Sequence, residues 1–241
     1  MKKKFEIHVP GDAKKVLLHT CCAPCSSAII ECLMQHGIRP TIYYCNPNIY
    51  PLGEYNIRKD ECTRYAQSLG LEIVDADYDH DHWLRCVQGF ENEPERGSRC
   101  MLCFKMRLRD TAAYAHTHGY GVVTTTLASS RWKSLEQIDE AGAWAVEPFD
   151  DVTWWDQNWR KGGVYHRDET YKRQTFLVGS FRFFHSEREN SQSFIGKIRV
   201  FSDGRRRKRR AELKGVGYRN SHGHHWYGRC QRRGGHGAYR R

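Results

Sequence analysis

Two pairs of cysteines are the residues of this chain best suited to chemistry. Cys21 and Cys22 are adjacent and follow a short apolar segment, whereas Cys100 and Cys103 form a C-x-x-C pair within a helical pattern. A C-x-x-C at the start of a helix places two sulfurs on one face, and a neighbouring strand end can supply two more. Four thiolates that converge from two segments would hold a metal ion or an iron–sulfur cluster.

Three chemistries compete for these cysteines. An iron–sulfur cluster is favoured by the adjacent pair, because zinc ligands usually stand two to four residues apart. A structural zinc site stays open as an alternative. A metal-free thiol site is the third, because Cys22-Ala-Pro-Cys25 follows a strand and opens a helix, as a thioredoxin-like motif does. That motif explains neither Cys21 nor the distant pair, and it leaves Cys25 as a near-cluster thiol or a small buried residue.

Cysteine usage predicts a cytoplasmic protein. The chain has ten cysteines, but the segment Met1 to Lys15 lacks the apolar core of a signal peptide. Nowhere do about eighteen apolar residues follow one another, so we expect no membrane partner. Clustered cysteines in such a chain are more often metal-binding or catalytic than disulfide-bonded. The other cysteines of the first half are expected to be structural; they are Cys32, Cys45, Cys62 and Cys86.

The net charge of +11 is concentrated in the C-terminal part of the chain. Residues 1–172 carry 21 Lys and Arg against 24 Asp and Glu, whereas residues 173–241 carry 18 against 4. A basic tail usually indicates contact with nucleic acid. This tail, however, has too few aliphatic residues to offset the entropy cost of ordering it. We therefore expect one domain at residues 1–176 and a disordered basic tail at residues 177–241.

Strand and helix patterns alternate along the first part. The predicted strands are residues 16–20, 40–45, 71–75 and 122–126, and the predicted helices are residues 26–36, 54–69, 98–118 and 135–145. Crossovers of about a dozen residues or more require parallel strands. The predicted fold class is therefore α/β, a Rossmann-like doubly wound parallel sheet with helices on both faces. Ligands of such sheets bind beyond the carboxyl ends of the strands, where Cys21 and Cys22 lie.

Four segments, in this order, resemble the cobalamin-independent epoxyqueuosine reductases of the QueH family. They are His19–Ser27 (HTCCAPCSS), residues 43–51 (YYCNPNIYP), Arg99–Arg107 (RCMLCFKMR) and Thr124–Ser130 (TTTLASS). The resemblance covers residues 10–176. It implies a tRNA-modifying oxidoreductase that removes the epoxide oxygen of epoxyqueuosine at the wobble position. The products would be queuosine and water, in the last step of queuosine biosynthesis.

The resemblance also implies a cofactor and partners. The ligands of a [4Fe-4S] cluster would be Cys21, Cys22, Cys100 and Cys103, and an additional iron beside the cluster stays open. Removing an epoxide oxygen takes two electrons and two protons, which implies an electron donor protein or another reductant besides the tRNA. The catalytic candidates are His19 and Cys25. His19 would either donate a proton or orient a neighbouring ligand.

The C-terminal part departs from the family. Members continue to a Cys-Gly-Cys segment, which the resemblance implies is redox-active, whereas here the match stops after Phe176 and only Cys230 occurs beyond Cys103. We predict that the reading frame shifts near residues 175–180, so that the tail is out-of-frame translation. Loss of the Cys-Gly-Cys segment would impair reduction. A genuine basic RNA-binding arm is the alternative.

Two other function classes compete with the reductase. An ATP-using tRNA sulfurtransferase would need a glycine-rich phosphate loop after the first strand, and Thr20–Cys25 contains no glycine. A zinc-stabilised tRNA- or RNA-binding protein without redox activity stays the alternative. Iron in place of zinc would decide between this protein and the reductase.

Further residues have both a substrate-binding and a structural interpretation. Asn46, Asn48 and Tyr50 would line a nucleoside pocket or form an Asx-type turn, and residues 124–130 would contact the substrate or cap a helix. Arg107 and Arg109 would balance the negative charge of a cluster or of a tRNA phosphate, or lie on a solvated helix face. Trp154, Trp155 and Trp159, beside Arg160 and Lys161, would stack on bases or form a satellite core.

Overall fold

The computed structural model describes residues 7–13 and 15–161, and the backbone of two short strands at residues 177–178 and 199–200. The predicted disorder of residues 177–241 concerns residues that lie, apart from those two strands, outside the described part. Within the described residues, no helix combines the length and apolar character needed to cross a bilayer.

Strands and helices alternate along the described chain. The strands are β1 (Val16–His19), β2 (Thr41–Tyr44), β3 (Ile73–Asp75), β4 (Val122–Thr125), β5 (Thr153–Trp154), β6 (Leu177–Val178) and β7 (Arg199–Val200). The α-helices are α1 (Ala23–Gln35), α2 (Leu52–Ser68), α3 (His80–Cys86), α4 (Ser98–His118) and α5 (Leu135–Val146). Short 3₁₀ turns occur at Pro10–Asp12 and Thr126–Ser129.

The central sheet is parallel, with the strand order β3-β2-β1-β4-β5. The predicted α/β parallel sheet is thus confirmed. The chain winds outward from β1 to β3 and then returns to the other side of β1 with β4. This reversal opens a crevice between the carboxyl ends of β1 and β4, which is where sheets of this kind bind ligands. β6 and β7 form a separate antiparallel pair.

Both faces of β1 are covered, as its four buried residues require. Val16 and Leu18 belong to the larger apolar cluster, which they share with Ile29 of α1. Leu17 belongs to a second cluster, which includes Ala115 of α4. Leu18 is fully buried, and burying a leucine side chain contributes about 1.5–3 kcal/mol. The apolar run therefore fixes β1 at the centre of the fold.

The start of α1 and the bounds of α4 determine where the cysteines lie. α1 begins at Ala23, three residues before the predicted start at residue 26, because Pro24 fits the first turn of a helix, where no intrahelical donor is needed. Cys22 is therefore the N-cap residue and Cys25 lies in the first turn. α4 spans the predicted residues 98–118 and ends at Gly119, whose φ of 70° is a left-handed conformation that glycine tolerates.

Candidate active site

The loop after β1 that carries Cys21 and Cys22, called the cysteine loop below, lies in the crevice between β1 and β4. The backbone N–H of Cys21 donates to the hydroxyl oxygen of Thr126, at 3.3 Å. The same hydroxyl donates to Cys21 Sγ, at 3.6 Å. Because Thr126 follows β4 directly, these bonds attach the cysteine loop to the neighbouring strand end. The position predicted from the chain order is thereby confirmed.

Three thiols form a compact group where this loop passes into α1. The Sγ atoms of Cys21, Cys22 and Cys25 all lie within 4.8 Å of one another, and those of Cys21 and Cys22 are 4.0 Å apart. Two thiolates about 2.3 Å from one tetrahedral ion stand roughly 3.8 Å apart. Sulfur donors at this spacing fit a soft metal such as iron or zinc. The group is therefore able to bind a metal.

The Cys21 thiol is the one whose surroundings favour the ionised form. Hydrogen bonds from the thiols of Cys22 and Cys25, with the Thr126 hydroxyl and the positive charge of Arg107, hold its pKa well below the usual range. These effects outweigh burial, which raises the pKa of Cys21. A thiolate is the form that binds metal.

The second cysteine pair lines an adjacent cavity. Cys100 and Cys103 lie in the first turns of α4 and border an open cavity of about 80 Å³. Asn48, which follows β2, borders the same cavity. Among the described residues, the compact thiol group contains Cys25 but neither Cys100 nor Cys103. The four-cysteine ligand set therefore stays a prediction.

Arg107 joins α4 to the strand ends beneath the cysteine loop. Its side chain is only 3 % exposed; Nε donates to the Cys45 carbonyl oxygen at 3.0 Å, and Nη2 donates to Asn46 Oδ1. Asn46 Nδ2 in turn donates to the Thr20 carbonyl oxygen, at 2.9 Å. A buried charge is tolerated only with such partners. Arg107 thus has a buried structural position, and the predicted solvated-face alternative is wrong for it.

His19, a catalytic candidate, is fully buried at the end of β1. Its Nε2 lies 3.1 Å from the Cys45 carbonyl oxygen and its Nδ1 lies 2.7 Å from Thr125 Oγ1. A carbonyl only accepts, so Nε2 carries the proton and Nδ1 accepts from the threonine hydroxyl. Burial, assisted by Arg107, lowers the pKa of His19 to about 3. The imidazole is therefore neutral, and this geometry favours the orienting role over proton donation.

The other candidate residues lie in the core, in the contact between α4 and α5, or on the surface. Trp155 and Trp159 are buried and contact each other edge to face, so the satellite-core interpretation is confirmed for them. Arg109 stacks on Trp144 of α5 at 3.9 Å and donates to its carbonyl oxygen at 2.7 Å. It therefore packs α4 against α5. Tyr50 is exposed and stacks on His80 of α3.

Three threonines at the carboxyl end of β4 make hydrogen bonds around the site. Thr124 donates to the Trp155 carbonyl oxygen at 2.9 Å, while Thr125 and Thr126 contact His19 and Cys21 as described above. The Thr125 hydroxyl also accepts from the Leu127 N–H, which caps the 3₁₀ turn. The capping interpretation is thus confirmed for Thr125.

Three cavity residues have a buried polar atom without a hydrogen-bond partner in the described structure. These atoms are Asn48 Oδ1, Trp83 Nε1 and Gln137 Oε1. Sequence reasoning singled out only Asn48. Trp83 lies in α3, whose seven residues are too few to show a helical period, and Gln137 lies in an otherwise ordinary amphipathic helix. Buried polar atoms of this kind are uncommon in folded proteins, and three of them belong to residues of this one cavity wall.

Comparison with known proteins decides the family. Residues 16–178 match the family model described as epoxyqueuosine reductase QueH, and this span contains both cysteine pairs and the cavity. The chain belongs to the QueH family. The family resemblance expected from the four segments is thereby confirmed.

Three relatives named epoxyqueuosine reductase QueH show how close this member is. The Haemophilus influenzae protein is 49 % identical over 177 residues, which cover 73 % of this chain and 71 % of that protein. The Histophilus somni protein is 49 % identical over 172 residues, covering 71 % of each chain. The Acinetobacter baylyi protein is 44 % identical over 176 residues, covering 73 % and 81 %.

Proposed function

We propose that this QueH family member reduces epoxyqueuosine at the wobble position of tRNA to queuosine. The observation that carries the proposal is a group of three thiols in the crevice between β1 and β4, within a domain that matches the reductase family. We further propose that a [4Fe-4S] cluster is held by Cys21, Cys22, Cys100 and Cys103. An additional iron beside it would find a ligand in Cys25.

The reaction sets what the site must supply. Both carbon–oxygen bonds of the epoxide break, a carbon–carbon double bond forms, and the oxygen leaves as water after taking up two protons and two electrons. When bound, an iron–sulfur cluster supplies one-electron transfer and Lewis acidity. The electrons would enter from an electron donor protein or another reductant.

The chain's own residues position and protect this chemistry. Thr126 donates to Cys21 Sγ, and such hydrogen bonds orient a thiolate ligand. Arg107 fixes α4, and with it Cys103 one turn earlier, against the ends of β1 and β2. Asn48, Trp83 and Gln137 line the cavity, and each has a polar atom whose hydrogen-bonding capacity is unused in the described structure. These contacts support a substrate site on the α4 side of the cysteine loop.

The division of the chain belongs to the same proposal. The family match ends at residue 178, which supports a reductase domain at residues 1–176. We retain the prediction that residues 177–241 are out-of-frame. Translation of the gene in its other two frames tests it, because a Cys-Gly-Cys sequence after the Phe176 codon is expected in one of them. Because its substrate would be a tRNA, we place the enzyme in the cytoplasm.

Anaerobic purification of the full chain tests the function. We expect about four iron and four sulfide per chain, and conversion of epoxyqueuosine to queuosine in tRNA, measured by nucleoside mass spectrometry. Dithionite serves as the reductant, because it does not depend on the Cys-Gly-Cys segment that this chain lacks. Zinc in place of iron, together with unchanged epoxyqueuosine, would refute the reductase and favour the zinc-stabilised RNA-binding protein.

A further inference from the structure

A tryptophan stands exposed at the mouth of the cavity. Trp132 is 69 % exposed, the highest value among the large apolar side chains that the described structure leaves in solvent. It lies between α4 and α5 in the chain and lines the same cavity as Cys100 and Cys103. A single exposed apolar side chain is ordinary by itself, but this indole lines a cavity that also contains two candidate ligand cysteines.

The loop that carries Trp132 is held by two arginines. Arg96 donates to the carbonyl oxygens of Arg131, at 2.9 Å, and Trp132, at 3.2 Å. Arg160 donates to those of Ser130, at 2.9 Å, and Lys133, at 2.6 Å. Four successive carbonyl groups are therefore fixed from two sides. Such fixing lowers the entropy cost of binding, because the platform is already ordered.

Arg96 itself has an unusual backbone. Its φ of 69° is left-handed, a conformation that a residue with a side chain adopts at a cost. The conformation is stabilised by Gln137, whose Nε2 donates to the Arg96 carbonyl oxygen at 2.9 Å. Arg96 is thus bonded both to the loop that carries Trp132 and to α5. Strain of this kind is concentrated at functional sites.

The surroundings of Trp132 are mainly basic. Arg96, Arg99 and Lys133 line the cavity with it, against the single carboxylate of Glu95. A hydrogen bond from Ser134 and the backbone N–H of Glu136 lower the pKa of this exposed carboxyl, and the charges of Arg160 and Arg96 lower it further. The arginine bonds at this mouth go to neutral carbonyl oxygens, which do not cancel the positive charge. An aromatic face among cations is the arrangement that binds single-stranded nucleic acid.

We propose that Trp132 is the stacking platform for an unpaired anticodon-loop base next to the wobble nucleotide. The proposal rests on the proposed function, which supplies a tRNA substrate and a reacting nucleoside on the cysteine side of the same cavity. Arg99 and Lys133 contact the flanking phosphates. An indole stacks only on a base that has left its helix, so the platform selects the loop over a paired stem.

Binding of a fluorescein-labelled anticodon stem–loop tests the platform. We expect Trp132→Ala to bind it about 5- to 150-fold more weakly, the range for loss of one stacked base, and Trp132→Phe to keep most of the affinity. A 2-aminopurine placed beside the wobble nucleotide should be quenched by the native chain and not by Trp132→Ala. Leu84→Ala is the matched control, since Leu84 of α3 is exposed but does not line the cavity.

Kinetics and composition separate stacking from a structural role. With dithionite as reductant, Trp132→Ala should raise KM for tRNA while kcat stays within about twofold and the iron content stays native. Unchanged RNA affinity, or a loss of iron, would overturn the proposal. A change of oligomeric state at unchanged RNA affinity would overturn it in favour of a protein interface.

The results distinguish a failure of the Trp132 proposal from a failure of the reductase proposal. Reduction by the native chain with unaltered binding by Trp132→Ala would overturn the platform and leave the reductase standing. Trp132-dependent binding of the stem–loop by a native chain that never reduces epoxyqueuosine would do the reverse.

Discussion

The carbonyl oxygen of Cys45 accepts hydrogen bonds from Arg107 Nε, at 3.0 Å, and from His19 Nε2, at 3.1 Å. Arg107 is 62 positions away along the chain and His19 is 26 positions away. A carbonyl oxygen has two lone pairs, and here both are used. One atom therefore connects the end of β2 to α4 and to the end of β1, directly below the cysteine loop.

Replacing Arg107 should loosen this connection and the site above it. Arg107→Gln leaves buried acceptors on Cys45 and Asn46 with fewer donors. We therefore expect the free energy of unfolding, measured with urea, to fall by about 2–4 kcal/mol. We also expect the iron content to fall, since α4 carries Cys100 and Cys103. Arg109→Gln on the same helix is the control and should keep its iron, because Arg109 packs on Trp144. Native iron content in Arg107→Gln would contradict the prediction.

Alanine substitutions identify the metal ligands. Removing the sulfur of Cys21, Cys22, Cys100 or Cys103 should abolish most bound iron and sulfide, because each thiolate is expected to ligate the cluster. Cys25→Ala should keep the cluster, and Cys86→Ala, whose cysteine lies in α3 away from the thiol group, serves as the control. Metal analysis and visible absorption of anaerobic protein measure the result.

The opposite outcome has a definite meaning. Full iron in Cys100→Ala and Cys103→Ala, with loss of iron in Cys25→Ala, would make the compact group of three thiols the ligand set. The predicted four-cysteine set would then be wrong.

Gly142 of α5 leaves room for an indole ring. A Cβ atom at this position would lie only 2.0 Å from Trp154 Cε2, so Gly142→Ala forces Trp154 of β5 to move. We expect a net loss of about 1–3 kcal/mol in the free energy of unfolding, although alanine is the better helix former. Gly53→Ala in α2 is the control, because nothing lies within 4 Å of its Cβ position. Its effect should be neutral or slightly stabilising, and equal effects of the two changes would refute the packing argument.

Asp139 of α5 makes stability depend on pH. Burial, with repulsion from Asp156, raises the pKa of its carboxyl to about 6, and these effects outweigh a hydrogen bond with Trp154 and the charge of Arg160, which lower the pKa. The folded protein therefore holds a proton that the unfolded chain loses near pH 4. Stability attributable to this group is complete below about pH 4 and is lost as the pH rises to about 6.

Asp139→Asn should remove that dependence. The variant gains stability over the native chain progressively between about pH 4 and pH 6, as measured by urea unfolding at several pH values. Asp60→Asn, which removes the same charge from an exposed position on α2, is the control. A constant difference between Asp139→Asn and the native chain across this range would rule out the proposed titration.

The sequence predicted the sheet and helices that position the site more completely than the site itself. α4 was predicted at its observed bounds, because a long periodic segment ending in glycine leaves little choice. α1 starts three residues before its predicted start, because the apolar spacing begins at residue 26 whereas Pro24 already fits the first turn. β5, with two residues, and α3, with seven, are too short for a period to be seen.

The cavity is the part that sequence reasoning could not reach. Trp132 stands in a loop without periodicity, and its exposure depends on Arg96 and Arg160, 36 and 28 positions away. Conversely, the basic neighbours of Trp159 in the sequence indicated a role in nucleic-acid binding. In the structure, however, Trp159 is fully buried. Whether an aromatic residue lies in the core or binds a ligand depends on contacts between distant segments.

Local pattern alone determined that this chain has an α/β sheet, a cysteine loop after β1 and the motifs of a reductase family, because periodicity, turn residues and spacing act over a few neighbouring positions. Only the tertiary structure placed β4 beside β1, so that Thr126 bonds Cys21 and Thr125 bonds His19. Only it decided that Cys25 lies with Cys21 and Cys22 and is not simply a small buried residue. Strand order follows from how all the helices cover the sheet together, and no single segment encodes it.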